Sequence, residues 1–221
     1  MSINGKVKSL RENSFQPLFR DGNVQSGPLE YYYSNKFNDQ GNKIEDIKYT
    51  AAGKVDKKYV YVYDVNGKRM EQKTFDSAGK LVRRIFYKYD DKGRLVADSS
   101  VSASGRFDKK FTYKYDPKGN IIEDNSYDST NALLKKYTYK YDAAGNKIEN
   151  KRFSSKGKLD KTVTYKYDFN NSVIEEVSTS SDGSKVKTSY DYEYDNNNNW
   201  LRKVTYSDKK PIGVLERSIE Y

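Results

Sequence analysis

The chain has neither cysteine nor histidine, and only four prolines and one tryptophan among 221 residues. Without Cys there is no disulfide and no thiolate, and without His there is no imidazole base or ligand. Ser-His and Cys-His nucleophile pairs, and zinc sites built from those side chains, are therefore excluded. No cofactor, no metal site and no catalytic residue is expected. Apolar runs are short too: none approaches the ~20 residues of a membrane-spanning helix, and no secretory h-region is present. Leu, Ile, Val and Phe make up about a fifth of the chain, near the level at which charged chains stay disordered. With a mean hydropathy of −1.03, the expectation is a thin structure with much solvated surface.

What the chain has instead is tyrosine and charge. Its 22 Tyr argue against disorder, because an amphipathic ring can cover a sheet while its hydroxyl stays wet. The 41 Lys and Arg against 31 Asp and Glu give a formal charge of +10. That excess favours acidic partners, although it is spread along the chain, as solubility alone would also require.

The strongest signal is a repeat. Asn38, Asp64, Asp90, Asp116, Asp142, Asp168 and Asp195 follow one another at five spacings of 26 and a last one of 27. Seven copies at nearly fixed spacing define a repeat protein. In the copy Tyr137–Asn146, Tyr137, Tyr139 and Tyr141 alternate with Thr138 and Lys140 and so share one face of a strand. Asp142-x-x-Gly145 then supplies a type I turn. Three residues after the turn Asp stand Gly41, Gly67, Gly93, Gly119, Gly145, Asn171 and Asn198; a second turn has Gly53, Gly79, Gly105, Asn131, Gly157 and Gly183. Asn is the side chain that best tolerates left-handed φ, so a type I turn followed by a left-handed residue is predicted at both places. About nine residues remain for each strand.

This turn geometry predicts a register. Asp142 pairs with Asn146 and Ser154 with Lys158. One face then carries Leu159, Val163, Tyr165 and Tyr167 with Phe153, Lys151 and Glu149, and the other carries Lys140, Thr138, Ile148, Asn150 and Thr164. Ile148 fits poorly there, since Ile44, Met70, Val96, Ile122, Ile174 and Leu201 at equivalent places are also apolar. Either the second face buries something, or a bulge shifts the register.

Three columns carry chemistry. The acidic one is Glu45, Glu71, Glu123, Glu149 and Glu175, interrupted by Ala97. Its members lie two strands apart, about 9.5 Å, but a catalytic carboxyl pair needs two unlike environments, and a repeat supplies like ones. Each Glu is expected opposite a Tyr, in a structural role. The turn aspartates have too few acidic neighbours for calcium and are explained by turn chemistry. The basic column, Lys36, Lys88, Lys114, Lys140 and Lys166, is expected on the face opposite the tyrosines, as a solvated face or a row engaging a polyanion. The aromatic ladder is Tyr61, Tyr87, Tyr113, Tyr139, Tyr165 and Tyr192, either core or a stacking surface. Candidate ligand-binding residues are therefore Lys88, Lys114, Lys140 and Lys166 with Tyr87, Tyr113, Tyr139 and Tyr165. No RNP, KH or OB signature accompanies them, so nucleic acid is not the expected partner.

The segments Tyr63-Asp-Val-Asn-Gly-Lys68, Tyr89-Asp-Asp-Lys-Gly-Arg94, Tyr115-Asp-Pro-Lys-Gly-Asn120 and Tyr141-Asp-Ala-Ala-Gly-Asn146 resemble the signature of bacterial YD-repeat proteins, the group that includes the RHS repeats. The resemblance spans residues 31–205, and the closing Asn199-Trp-Leu-Arg and Glu216-Arg-Ser-Ile-Glu-Tyr221 look like the ends of small exported members. It implies a curled or spiral sheet of hairpins and a bacterial, exported protein. It does not bring a cargo shell, because these repeats are too few.

The expectation is thus an all-β antiparallel hairpin meander of 14 to 16 strands, as a curled or spiral single sheet, with an open twisted single-layer sheet as alternative. Residues 1–30 form an N-terminal cap strand and loop, 31–207 the repeats, and 208–221 a C-terminal cap strand. Lys6–Phe15 opens as a strand and Gln16–Pro28 as a loop. Neither face is uniformly apolar, which argues against a membrane barrel. The expected function is non-enzymatic binding or adhesion to a polysaccharide or another acidic polymer. The alternative is a structural scaffold that meets a protein partner through sheet edges or ends, an edge strand among them. The expected location is periplasm or cell surface, as a mature form lacking its signal, with the cytoplasm left open.

Overall fold

The computed structural model describes residues 3–221, and its regular structure is entirely β. The sixteen strands are β1 Ser9–Arg20, β2 Asn23–Phe37, β3 Lys43–Thr50, β4 Val55–Tyr63, β5 Arg69–Phe75, β6 Leu81–Tyr89, β7 Leu95–Ser102 and β8 Phe107–Tyr115. They continue as β9 Ile121–Tyr127, β10 Leu133–Tyr141, β11 Lys147–Ser154, β12 Leu159–Tyr167, β13 Val173–Ser180, β14 Lys185–Tyr194, β15 Trp200–Ser207 and β16 Lys210–Glu220. Sequence neighbours pair throughout, and β1 pairs with β16, so the strand order closes on itself. Of the described residues, 3–82 with Ser189–Tyr221 form one compact unit, and Arg83–Thr188 form a second.

The internal hairpins are built by local chemistry. Asp142 donates its N–H to the Asn146 carbonyl at 2.9 Å, and Gly145 donates to the Asp142 carbonyl at 3.2 Å. The Asp142 carboxylate accepts from the Asn146 N–H at 2.8 Å. Where the left-handed position is not Gly it is Asn, with φ of 63° at Asn131, 58° at Asn171 and 59° at Asn198. The first and last hairpins differ. Asp21-Gly22 and Asp208-Lys209 have positive φ at both central residues, the two-residue turn whose twist matches its strands.

After the first turn of each internal copy comes a bulge. Tyr141 pairs with Lys147, but Lys140 pairs with Glu149, so Ile148 has no partner. The same break leaves out Ile44, Met70, Val96, Ile122 and Ile174. The apolar column is therefore a column of bulges rather than a second core. Four of its members stay part-exposed, Ile44 at 37%, Met70 at 42%, Ile122 at 40% and Ile148 at 39%. A further bulge follows the second turn, at Asp56, Asp108, Leu134 and Asp160.

Two expectations need correcting. The sheet is a closed sixteen-strand antiparallel barrel, not a curled, spiral or open sheet. Closure comes from the terminal strands, whose register runs from Ser9↔Glu220 to Phe15↔Val214. Bulges at both ends of the internal hairpins add the bend and twist that bring those strands together. Closure also pairs the edge strands, one of the two places, edges or ends, where the scaffold reading put a protein partner. Residues 16–28 form no loop: Pro17–Arg20 pair with Asn23–Ser26 as the outer half of the β1–β2 hairpin. This half lies over the last strands, where the Val24 carbonyl accepts from Arg202 at 2.6 Å and Ser26 donates to Glu216 at 2.5 Å. Val204 and Val214, paired two residues on from Arg202 and Glu216, are 3% and 0% exposed.

The seam is latched by the last repeated turn. Asn199 is buried, accepts from the Asn4 N–H at 2.8 Å and donates to the Asn4 carbonyl at 2.9 Å and the Tyr221 hydroxyl at 2.7 Å. Tyr221 in turn hydrogen-bonds Asp195. Beside them Arg217 pairs with Glu12 at 2.8 Å and lies 3.3 Å over the Trp200 ring. Asn199→Ala strands several of these groups and should cost about 1–3 kcal/mol. Asn198→Gly, at a position already left-handed, should stay within about 0.5 kcal/mol of the parent. Urea unfolding of the two variants checks both.

Candidate functional site

The bulge decides which side chains share a face. Beyond Ile148 the strand is displaced by one residue, so Glu149 lies across from Lys140 and Asn150 across from Tyr139. The acidic column therefore stands on the lysine face. It was expected opposite the tyrosines, which an unbulged register would require. On the tyrosine face the opposing column is Asp98, Asp124, Asn150 and Glu176, across from Tyr87, Tyr113, Tyr139 and Tyr165.

On the lysine face the columns form ion-paired clusters. Lys36 and Lys58 hold Glu45 at 3.3 and 2.6 Å, and Lys114 and Lys136 hold Glu123 at 2.8 and 2.8 Å. Lys140 and Lys151 hold Glu149 at 3.1 and 3.4 Å, and Lys166 and Lys187 hold Glu175 at 2.8 and 2.5 Å. Two cations on one carboxylate leave one positive charge per cluster. Burial on its own would raise Glu123; the Lys114 and Lys136 hydrogen bonds overcome it and hold the carboxyl down to about 2. Glu45 is also lowered, chiefly by the Lys58 hydrogen bond. The outer lysines Lys36, Lys114, Lys140 and Lys166 keep their side chains 65–71% exposed. Lys88 is exposed too, but it faces Ala97. In the last copy the charges are exchanged, with Arg202 paired to Glu193 at 3.0 Å.

The tyrosine face is used by the fold itself. Tyr61 donates to Asp46 at 2.6 Å, Tyr113 to Asp98 at 2.5 Å, and Tyr139 to Asp124. The tyrosines of the Tyr-Asp pairs reach back twenty residues to a main-chain carbonyl. Tyr63 bonds Lys43, Tyr115 bonds Leu95, Tyr141 bonds Ile121 and Tyr167 bonds Lys147, at 2.6–2.7 Å. Several ring faces are covered by cations: Lys147 lies 4.9 Å from the Tyr139 ring and 5.5 Å from Tyr165, and Arg94 lies 5.0 Å from Tyr115. Asp98 and Asp124 are raised above ordinary carboxylates by burial, against the opposing Tyr113 and Tyr139 hydrogen bonds. Burial and the same carboxylates push both tyrosines up strongly.

The structure thus places Lys88, Lys114, Lys140 and Lys166 on one face and Tyr87, Tyr113, Tyr139 and Tyr165 on the other. The lysines bring a regular cationic surface to solvent, and the tyrosines bind carboxyl, amide and main-chain groups of the fold. Sequence reasoning missed the second acidic column, Asp46, Asp98 and Asp124. Its signal was present as the residue after each Glu or Ala97, but only the bulge assigns its face.

The raised carboxyls have a sign that can be tested. Asp98 titrates at higher pH folded than unfolded, so the fold penalises its ionised form at neutral pH and is relieved of this below the unfolded value. Asp98→Asn keeps an amide oxygen that can accept from Tyr113. It should unfold at the same or a higher temperature at pH 7, by up to about 1 kcal/mol, with the gain shrinking towards pH 4. Glu123 has the opposite sign. Its lowered value stabilises the fold above about pH 4.5, and that contribution is lost as pH falls towards 2. Thermal melts of Asp98→Asn and Glu123→Gln from pH 2.5 to 8 resolve the two trends.

No protein-family model matches the chain, and a search of curated proteins found no match. Solved structures do resemble it. A porin-like protein from Bacteroides uniformis superposes with a TM-score of 0.64 at 12% identity, covering 99% of this chain and 98% of that one. That likeness shows the barrel fold alone. A porin-like protein from Bacteroides vulgatus matches with a TM-score of 0.47 at 14% identity, over 97% and 98% of the two chains. A Photorhabdus luminescens Tc holotoxin pore matches with a TM-score of 0.35 at 15% identity, over 92% of this chain and 14% of that one. Neither of these last two superposes well enough to carry an argument.

Proposed function

We propose that this protein is a non-enzymatic binding protein whose lysine face engages an acidic polymer, a polysaccharide in the first instance, outside the cytoplasm of a bacterium. One observation carries the reading: the Lys–Glu–Lys clusters recur along the sheet and each keeps one uncompensated positive charge on an exposed lysine. A polymer with regularly spaced carboxylates or sulfates gains at each cluster and loses little conformational freedom between them. Salt screens such contacts, so affinity falls as ionic strength rises.

The absence of an activity is part of the same reading. The four paired glutamates sit in like environments, with two cations each, and each is held as a carboxylate rather than as an acid. Asp98 and Asp124, which are raised, each accept a tyrosine hydroxyl of the fold. The Tyr-Asp-x-x-Gly resemblance to exported YD-repeat proteins supports an extracytoplasmic site, as does the porin-like description of the B. uniformis protein. A membrane-crossing role is not proposed, because one face carries ion pairs and the other buried polar groups, and neither is the apolar belt that hydrocarbon needs.

Replacing Lys114, Lys140 and Lys166 together by Ser lowers the formal charge from +10 by three. The triple variant should elute from a heparin column at clearly lower salt than the parent and bind about threefold to tenfold more weakly. Its far-ultraviolet spectrum should stay that of the parent. No retention of the parent at low ionic strength, on heparin and polygalacturonate columns alike, refutes the reading.

A further inference from the structure

The lysine face repeats one arrangement, and in one copy the carboxylate is missing while both lysines remain. In the complete pattern Lys114 pairs with Glu123, Glu123 with Thr138, and Asn125 with Lys136, and both lysines turn onto the carboxylate. One repeat earlier the same register gives Lys88↔Ala97, Ala97↔Thr112 and Ser99↔Lys110. Both lysines hold their register positions, and the carboxylate between those positions is missing. Among the described residues neither Lys88 nor Lys110 makes an ion pair. Lys110 instead lies 5.8 Å from the Tyr127 ring.

The gap has a distinct wall. Phe86 occupies the strand position held by Thr112, Thr138 and Thr164 in the next three copies, and it pairs with Ser99, two residues from Ala97. Its side chain is part-exposed, at 37%, and Arg84 lies 4.7 Å over its ring. An exposed aromatic beside two cations and a methyl-sized floor suits a ring with apolar C–H faces and one acidic substituent. All of these residues belong to the Arg83–Thr188 unit.

We propose that Lys88, Lys110 and Phe86, around Ala97, form a discrete subsite for one acidic sugar residue. Its carboxylate or sulfate takes the place that glutamate fills in the neighbouring copies, and its ring rests against Phe86. This rests on the acidic-polymer reading and gives it an address: the polymer is registered at the gap, and the complete clusters at Glu123, Glu149 and Glu175 add non-specific attraction. Carboxylate and sulfate share the chemistry, so both are needed as probes.

The test supplies the missing group. Ala97→Glu places a resident carboxylate between Lys88 and Lys110 and lowers the charge by one; Lys156→Gln, on an exposed turn, lowers it equally far from the gap. Trigalacturonate and a heparin tetrasaccharide are titrated calorimetrically into the intact parent and both variants. Ala97→Glu should weaken the better probe at least about tenfold and Lys156→Gln less than about twofold. Ala97→Glu should also melt no lower than the parent, since its new carboxylate gains two cations. Phe86→Ser should weaken binding while leaving the salt dependence unchanged. If the parent binds but Ala97→Glu and Lys156→Gln weaken it equally, the subsite is refuted and the polymer reading stands. If the parent binds neither these probes nor the polymer columns, both fall.

Discussion

A strand that gains one unpaired residue exchanges its faces from that point on. In this protein the exchange happens just after the first turn of each internal copy, at Ile44, Met70, Val96, Ile122, Ile148 and Ile174. Everything chemical depends on it. The exchange moves glutamate to the lysines and aspartate to the tyrosines, so each acid meets the partner that suits it. Glutamate, with the longer stem, spans two cations on the exposed face. Aspartate, with the shorter stem, meets a tyrosine hydroxyl in the more enclosed one. An unbulged hairpin would bury the glutamates against tyrosine rings and leave the lysine row facing a neutral column.

The two faces divide the work. The tyrosine face resembles a core made polar: hydroxyls reach carboxylates and main-chain carbonyls, and cations lie over the rings. Such a network stabilises only if its members are satisfied, which the regular twenty-residue reach of the Tyr-Asp tyrosines helps to secure. The lysine face carries weak, solvated ion pairs, each contributing about 0–1 kcal/mol. Its lysines can exchange an internal partner for an external one at little cost to the fold. That asymmetry is why a ligand is sought on the lysine face.

The turns were legible in the sequence because each is a local event with its own residues. The Asp that caps it and the Gly or Asn that takes positive φ stand at fixed spacing, and Asn131, Asn171 and Asn198 substitute where the physics allows. The bulges were half legible. Their apolar column announced an irregularity but could not say whether Ile148 lay in a ladder or outside one. Closure was not legible, because it rests on Leu10 meeting Ile219 and Asn199 meeting Asn4, contacts between dissimilar segments at opposite ends of the chain. The tip of the first hairpin misled for a related reason: Pro17 and Pro28 read as loop punctuation, yet a strand on the free side of a hairpin tolerates proline. Ala97 was visible as an interruption from the start. It became a candidate site only once its column had a face.

The seam also sets an order of events in time. Every internal hairpin can form from residues close in sequence, whereas Ser9 must wait for Glu220, 211 residues away. Pairings so distant in sequence carry the largest loop-closure cost in the chain. Until that pairing is made, β1 and β16 would each expose an unpaired ladder of backbone groups, ready for the edge of another chain as well as for each other. The polar Asn4–Asn199–Tyr221–Asp195 latch and the half-buried Arg217–Glu12 pair then act as a signature check. A foreign edge can offer hydrogen bonds, but it cannot offer that set of partners, and the ring closes on its own end.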